Sequence, residues 1–348
     1  MCCSQLSMLN DLLSEEEIIS LENFFYSLTP NTIDRITASK ISNYLSVDFE
    51  TARKVLMKCK NAGFLKLTFG IKCPNCGGLV KKVSDLSEVE EVLDCCYICG
   101  EENLDISEDD IELMFELLID SNSFLPGQQM GKVIRLNSTD VARENSLLLF
   151  INNGVLDLNK ELFSPTDCEY KTILSLCDNA KKAKDKEEKG KTLERLAKYL
   201  FNLCKIFKAN EIRTSVNQID CYVRNKVFMP IGVFKILGSR IIIECKNESK
   251  IPSGSYISKL HSIITEINGK GEFIKFGIIF SKCKAPKTYR EHATKYYLAQ
   301  KVVVIHFYLE EIIQMANDRG CLLDLIEQKA EEIILDATTD LKVAGLYD

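Results

Sequence analysis

The chain of 348 residues predicts an α/β protein: a mixed sheet flanked by helices in its C-terminal part, preceded by a smaller α+β region. Three observations carry that prediction. The stretch Arg240-Ile241-Ile242-Ile243-Glu244-Cys245-Lys246-Asn247 is a β-branched apolar run of the kind that forms a buried strand, and it ends in charge. Leu193, Leu196, Ala197, Leu200, Phe201 and Cys204 recur at helical spacing upstream of it, and strand and helix patterns alternate downstream. Two C-x-x-C knuckles, Cys73-Pro74-Asn75-Cys76 and Cys96-Tyr97-Ile98-Cys99, punctuate the N-terminal part. At this length two or three domains are expected, and 46% hydrophobic with 27% charged residues is a globular composition.

Residues 1–72 read as a winged helix-turn-helix. Ser14-Glu15-Glu16-Glu17 is a helix N-terminus, and an amphipathic stretch follows through Phe25. Residues 37–45 read as a short helix with Ala38, Ile41 and Leu45 inward. Asp48 then caps a helix from Phe49 to Asn61 that turns Ala52, Val55 and Leu56 to the core and Thr51, Arg53, Lys54 and Lys58 outward. Gly63 ends it, and residues 64–71 alternate like a strand. Arg53, Lys54 and Lys58 are the candidate DNA contacts of this module, and a helical domain with a solvated basic face is the alternative reading.

Residues 73–104 read as a zinc ribbon. Four thiolates, from Cys73, Cys76, Cys96 and Cys99, can surround one structural Zn²⁺ at about 2.3 Å with no position left open for catalysis. Gly77, Gly78 and Gly100 relieve the knuckle turns, and Cys95 is a competitor for the last position. The chain has 15 cysteines in all; the isolated ones (Cys59, Cys168, Cys177, Cys204, Cys321) read as small buried apolar residues.

Residues 105–177 form an acidic middle domain with a helix expected over 109–118. Asn152-Asn153-Gly154-Val155-Leu156 echoes Asn61-Ala62-Gly63-Phe64-Leu65, so a second winged-helix-like unit is one reading of this segment and coincidence another. Residues 178–190 read as a charged linker.

Residues 191–348 supply the mixed sheet. A helix over 193–204 is followed by strands at 211–214, 218–224 and 241–246. A helix over 255–267, a strand over 275–280, a helix over 290–298, a strand over 301–307 and a closing helix over 309–316 complete an order expected to place helices on both faces. Charge separates the same regions. The net of −6 comprises about −14 for residues 1–180, about +14 for 181–300 and about −6 for the remainder.

Glu194, Asp220 and Glu244-x-Lys246, in that order, resemble the PD-(D/E)XK nuclease superfamily. Phe276-Gly277-Ile278-Ile279-Phe280-Ser281, the stretch from Lys287 to Ala293, and Val302-Val303-Val304-Ile305 before a leucine-led helix are similar to the Mrr-type restriction endonuclease branch. The likeness spans about residues 190–326. It departs in having about fifteen residues between the second and third strands. Gln218 also stands where relatives often carry an acid, and Glu244 where Mrr-type enzymes often carry Gln.

The resemblance implies a restriction-endonuclease-like sheet and a Mg²⁺- or Mn²⁺-dependent DNA endonuclease serving restriction or antiphage defence. Asp220, Glu244 and the Cys245 carbonyl would hold the metal, Lys246 would orient the attacking water, and Glu194 would assist from the first helix. This division of labour suits phosphodiester hydrolysis, which needs a hard cation and positive charge at the phosphoryl oxygens. Lys282, Lys284, Lys287 and Arg290 follow the fourth strand as candidate phosphate contacts. Each residue also has an ordinary reading: Asp220 as a turn cap, Glu244 and Lys246 as a surface pair, Glu194 as a solvated helix residue, the four cations as a solvated loop. His261, His292 and His306 lie in no ligand spacing and receive no catalytic role.

The competing readings are a non-catalytic winged-helix DNA-binding regulator, and a nuclease that acts on RNA or is gated by a small ligand. The expected partners are DNA, a second copy of the chain and a defence-system protein. No apolar run approaches the roughly 20 residues that span a bilayer. The N-terminus lacks the blocks of a signal peptide, and Cys2 stands where myristoylation needs glycine. A cytoplasmic, membrane-free location is therefore expected. The absence of a phosphate-binding glycine loop argues against ATP hydrolysis.

Overall fold

The computed structural model describes residues 6–92, 95–118, 145–213, 218–226, 232–269, 271 and 273–343. The chain divides into two compact units, Met1–Leu158 and Asn159–Asp348. No helix among the described residues is long and apolar enough to cross a membrane.

In the first unit, helix α1 (Glu15–Tyr26) starts where its sequence says it should. Ser14 accepts from the Glu17 N–H while the Glu17 carboxylate accepts from the Ser14 N–H, a reciprocal cap of two otherwise orphaned donors. Thr37 caps α2 (Ala38–Leu45), Ser46 turns the chain in the left-handed region at φ 57°, and Asp48 caps α3 (Phe49–Asn61). Strands β1 (Leu65–Lys72), β2 (Leu79–Val83) and β3 (Ile111–Leu117) form an antiparallel sheet in the order β2-β1-β3.

Strand β3 corrects the helix expected over 109–118. Ser107 does start a turn with its acidic neighbours, but that turn is one 3-10 step, Glu108–Asp110, after which Ile111, Leu113, Phe115 and Leu117 alternate inward. A period of two pairs them along β1 from Leu65↔Leu117 to Ile71↔Ile111. Both cysteine knuckles therefore lie on an excursion between two adjacent strands. Ile36, just before α2, also bridges Phe115 of β3. Residues 111–117 of the acidic segment thus complete the first sheet. Helices α3 and α4 (Leu147–Asn152) both run into a left-handed glycine, Gly63 at φ 81° and Gly154 at φ 65°, as their echoing sequences suggest. No strand follows Gly154, however; the chain enters the short helix α5 (Leu158–Leu162).

Arg53 is a second correction. Expected on the outer face of α3, it is 3% exposed, with its guanidinium 5.7 Å from the centre of the Phe150 ring on α4. Helix α4 is held over this side by Asn145, whose carboxamide oxygen accepts from the Ser39 N–H at 2.9 Å and whose amide donates to Glu112 at 2.7 Å.

The second unit begins earlier than the charged segment suggests. Thr166 and Glu169 form a capping box for α6 (Asp167–Lys182), and Asp185 caps α7 (Lys186–Asn202), so Gly190 lies inside a helix and most of 178–190 is helical. The charged run is the solvated face of two packed helices. Strands β4 (Phe207–Arg213), β5 (Gln218–Asn225), β6 (Arg240–Lys246), β7 (Phe276–Ser281) and β8 (Val303–Tyr308) form one sheet in sequence order. The first three are antiparallel neighbours, and β6, β7 and β8 are parallel. The β5–β6 connection includes a helical turn, α8 (Phe234–Leu237).

Helix α7 packs on β4, β5 and β6, and α9 (Ser255–Asn268) on β6 and β7. Helix α10 (Thr288–Gln300) and the long α12 (Leu322–Val343) pack on β8, joined there by α11 (Leu309–Asn317). Gly277 sets the α9 distance: a Cβ at this position would lie 2.9 Å from Leu260 Cδ2 and 3.0 Å from Ile264 Cδ1.

Candidate functional site

The apolar run of β6 delivers its charged end to the place where pairing with β5 stops. The antiparallel ladder runs from Arg224↔Arg240 to Cys221↔Ile243. Beyond it, two residues past Ile243, the Cys245 N–H donates to Asp220 Oδ2 at 2.8 Å, so a side chain serves as acceptor where the ladder has ended. Glu244 is 2% exposed, and its Oε1 receives Lys246 Nζ at 2.6 Å and Lys259 Nζ at 2.7 Å. Lys246 also lies 3.3 Å from the Cys245 carbonyl oxygen and 5.4 Å from the centre of the Tyr256 ring, whose hydroxyl donates to Glu248 at 2.8 Å.

Electrostatics bind these groups into one system. Burial raises the Asp220 carboxyl above its ordinary value and the Glu244 charge raises it further, against the opposing pull of the Cys245 N–H. Burial alone would lower the Lys246 ammonium, but its hydrogen bond to Glu244 and the surrounding negative charge hold it above the usual lysine range. Burial drives the Cys245 thiol well up, with Asp220, Cys221, Glu194 and Glu244 adding to the effect. Glu194, on α7, therefore shares this field. The structure brings Asp220, Glu244, Cys245 and Lys246 into contact as the sequence order suggests. Lys259 and Tyr256, both from α9, join them. Sequence reasoning missed Lys259 because nothing in its local pattern distinguishes a solvated helix lysine from one that reaches a neighbouring strand.

A cleft of about 640 Å³ opens beside this point, with Cys245, Lys246 and Asn247 on one wall and Lys184, Lys189 and Lys250 around it. Asn247 builds the cleft. Its side-chain amide donates to the Ala180 carbonyl at 3.0 Å and the Lys189 carbonyl at 2.9 Å, tying the end of α6 and the first turns of α7 to the end of β6. The anticipated phosphate contacts are placed differently. Lys282 donates to the Lys181 carbonyl at 3.0 Å, Lys284 stands over the Tyr308 ring, and Arg290 is paired with Asp336 and, at 2.8 Å, with Glu332. Lys287 is exposed at the start of α10.

The four knuckle cysteines of the first unit form a separate centre. All four sulfurs lie within 4.8 Å of one another, with Cys73 and Cys99 at 3.7 Å and Cys76 and Cys96 at 3.8 Å. Sulfurs arranged tetrahedrally at about 2.3 Å from a common ion are about 3.8 Å apart, so the set is close enough to hold one metal ion. The two knuckles are built alike. Gly77 donates to Cys73 O and Gly100 to Cys96 O, both at 2.8 Å, with both glycines in the left-handed region at φ 67° and 77°. The backbone N–H of Cys99 helps draw the Cys96 thiol down to about 7. Cys95 is exposed, bridges Glu102 and is not among the clustered four.

The other two α3 cations anticipated as DNA contacts are also engaged: Lys54 pairs with Glu50 and Lys58 with Asp11, each at 2.5 Å. His306 accepts or donates at 2.7 Å with Ser281 Oγ inside the second unit, and His261 stacks on Tyr296. Comparison with known protein families, curated proteins and solved structures finds no match to this chain.

Proposed function

We propose that the second unit is a metal-dependent endodeoxyribonuclease of the PD-(D/E)XK class, with an Mrr-like connectivity. The observation that carries this reading is the joining of Asp220, Glu244 and Lys246 at the end of β6, beside a lysine-rimmed cleft. The donors fit a hard divalent cation: two carboxylates, of which Asp220 is raised by burial and then by the Glu244 charge, and the Cys245 carbonyl, all oxygen. Mg²⁺ or Mn²⁺ held by Asp220, Glu244 and the Cys245 carbonyl would neutralise phosphoryl oxygens and acidify a bound water.

The chain's own residues do the rest. Lys246, kept charged by Glu244, orients the water and offsets charge that develops on the phosphoryl oxygens. Lys184, Lys189 and Lys250 attract the phosphate backbone into the cleft. The water gives up a proton as its oxygen bonds to phosphorus, one P–O ester bond breaks, and the departing oxygen takes up a proton, so that one water is added across the ester. Glu194 contributes negative charge at the same site.

The helical order of the first unit, the Ile36 bridge and the β1–β3 pair support a winged-helix module whose wing carries a structural zinc site at Cys73, Cys76, Cys96 and Cys99. A DNA-binding regulator is the weaker reading, since Arg53, Lys54 and Lys58 on α3 are each covered or paired. Partner recognition within a restriction or antiphage defence system is the role proposed for this unit.

The test is incubation of the purified chain with plasmid and with RNA, with and without Mg²⁺. Mg²⁺-dependent cutting of DNA is expected, with loss of at least about a hundredfold in Glu244→Gln and Lys246→Met. Undiminished cutting by both variants would sink the assignment.

A further inference from the structure

Glu244 has one more partner than the expected site requires. Lys259 is an exposed residue of α9, next in sequence to Leu260, whose side chain packs over Gly277 of β7. The close approach permitted by that glycine brings Lys259 Nζ to 2.7 Å from Glu244 Oε1, the oxygen that also holds Lys246. Two ammonium groups thus converge on one buried carboxylate oxygen. With Asp220 and Glu244 negative and Lys246 and Lys259 positive, these four side chains balance without a further cation.

We propose that Lys259 is an exchangeable counter-ion that competes with a divalent metal ion for Glu244 and so sets how tightly the metal is held. The inference rests on the nuclease reading of the site. Of the two lysines, Lys259 is the one that exchanges. Lys246 is 20% exposed and is also held by the Cys245 carbonyl and the Tyr256 ring, whereas Lys259 is 55% exposed. A half-exposed ammonium regains water when it leaves, so releasing it costs little. A metal ion entering beside Glu244 repels both lysines, and the less confined one departs. Once free, its ammonium stands beside the metal site, where a substrate phosphate can take it up.

The closing experiment titrates Mn²⁺ into the full zinc-loaded chain without nucleic acid and reads free Mn²⁺ by electron paramagnetic resonance. Wild type, Lys259→Met, Lys259→Gln, Lys259→Arg and Glu244→Gln are compared, each first checked by thermal unfolding. Lys259→Met and Lys259→Gln should bind Mn²⁺ about two- to fivefold more tightly than wild type, a range set by the strength of a partly exposed ion pair. Lys259→Arg, which keeps the charge, should stay close to wild type. Unchanged or weaker binding in the two neutral variants overturns the proposal, as does tightening by Lys259→Arg to the same extent. Glu244→Gln separates the two levels of inference. Binding that survives it rejects the metal site itself, whereas binding that it removes but the neutral Lys259 variants leave unaltered rejects only the competition.

Discussion

Asp220 and Cys245 are joined by a hydrogen bond of 2.8 Å at the point where their two strands cease to pair. The carboxylate therefore has two tasks: it satisfies the Cys245 N–H where the β5–β6 ladder ends and lends negative charge to the space facing Glu244. The tasks separate by substitution. Asp220→Asn keeps an acceptor for the amide and removes the charge, so cleavage should fall at least about a hundredfold while stability changes by less than about 1 kcal/mol. Asp220→Ala should lose cleavage equally and also about 1–2 kcal/mol of stability, because a buried N–H goes unpaired. Chemical denaturation alongside plasmid cleavage checks both.

The lysines around the cleft make a prediction that needs no catalysis. Neutralising Lys184, Lys189 and Lys250 together should weaken metal-free DNA binding and flatten its log–log salt dependence by about 3. Neutralising Lys54 and Lys58, already paired within the first unit, should move that slope far less. Fluorescence anisotropy across a salt series measures the difference.

The cysteine centre predicts about one zinc per chain, lost on Cys73→Ser or Cys96→Ser and retained on Cys95→Ser. Elemental analysis and thermal unfolding with and without chelator decide this. Full stability after zinc removal would reject a structural role.

Gly277 is predicted to couple packing to the site. Gly277→Val adds bulk against Leu260 and Ile264, which should cost about 1–3 kcal/mol and push α9 off the sheet. Because Lys259 rides on α9, this variant should also bind Mn²⁺ more tightly, as Lys259→Met does. Stability and Mn²⁺ titration together test the coupling.

His306 supplies a pH dependence away from the site. Burial, with a contribution from Lys329, lowers its imidazole from 6.5 to about 3. Between those values the unfolded chain binds a proton that the folded chain refuses, so stability is present above about pH 6.5 and declines as the pH falls through this window. The ring faces Ser281, Tyr289 and Tyr308 as well as Lys329. His306→Gln should reduce the slope of the unfolding temperature against pH in that range.

Much of the architecture was legible where local chemistry was decisive. Ser14 with Glu17, Asp48 before α3 and the two knuckles with their glycines each fix a local geometry regardless of context. Strands β6, β7 and β8 were legible as apolar runs, whereas β4, expected at 211–214, is a mixed polar strand that begins at Phe207; the order of Asp220 and Glu244-x-Lys246 placed them at neighbouring strand ends. Long-range effects were hidden. Ser107 with three acids mimics a helix start, and only pairing with β1 shows that Ile111 to Leu117 is a strand. Arg53 has the period of an outer residue until α4 arrives from about a hundred residues downstream to cover it. Thr166-x-x-Glu169 was a readable capping signal for α6, obscured by the charge run at the end of the same helix. Lys259 had no such signal.

The position of the cysteine knuckles between β1 and β3 has a kinetic consequence. Those two strands pair across an intervening stretch of about 40 residues, and closing it costs chain entropy before any ladder bond is gained. Joining Cys73 to Cys99 through a common ion would shorten the path between Ile71 and Ile111 to about 15 residues. An ion captured early would therefore act as a folding clamp, bringing the strand ends together before their side chains meet.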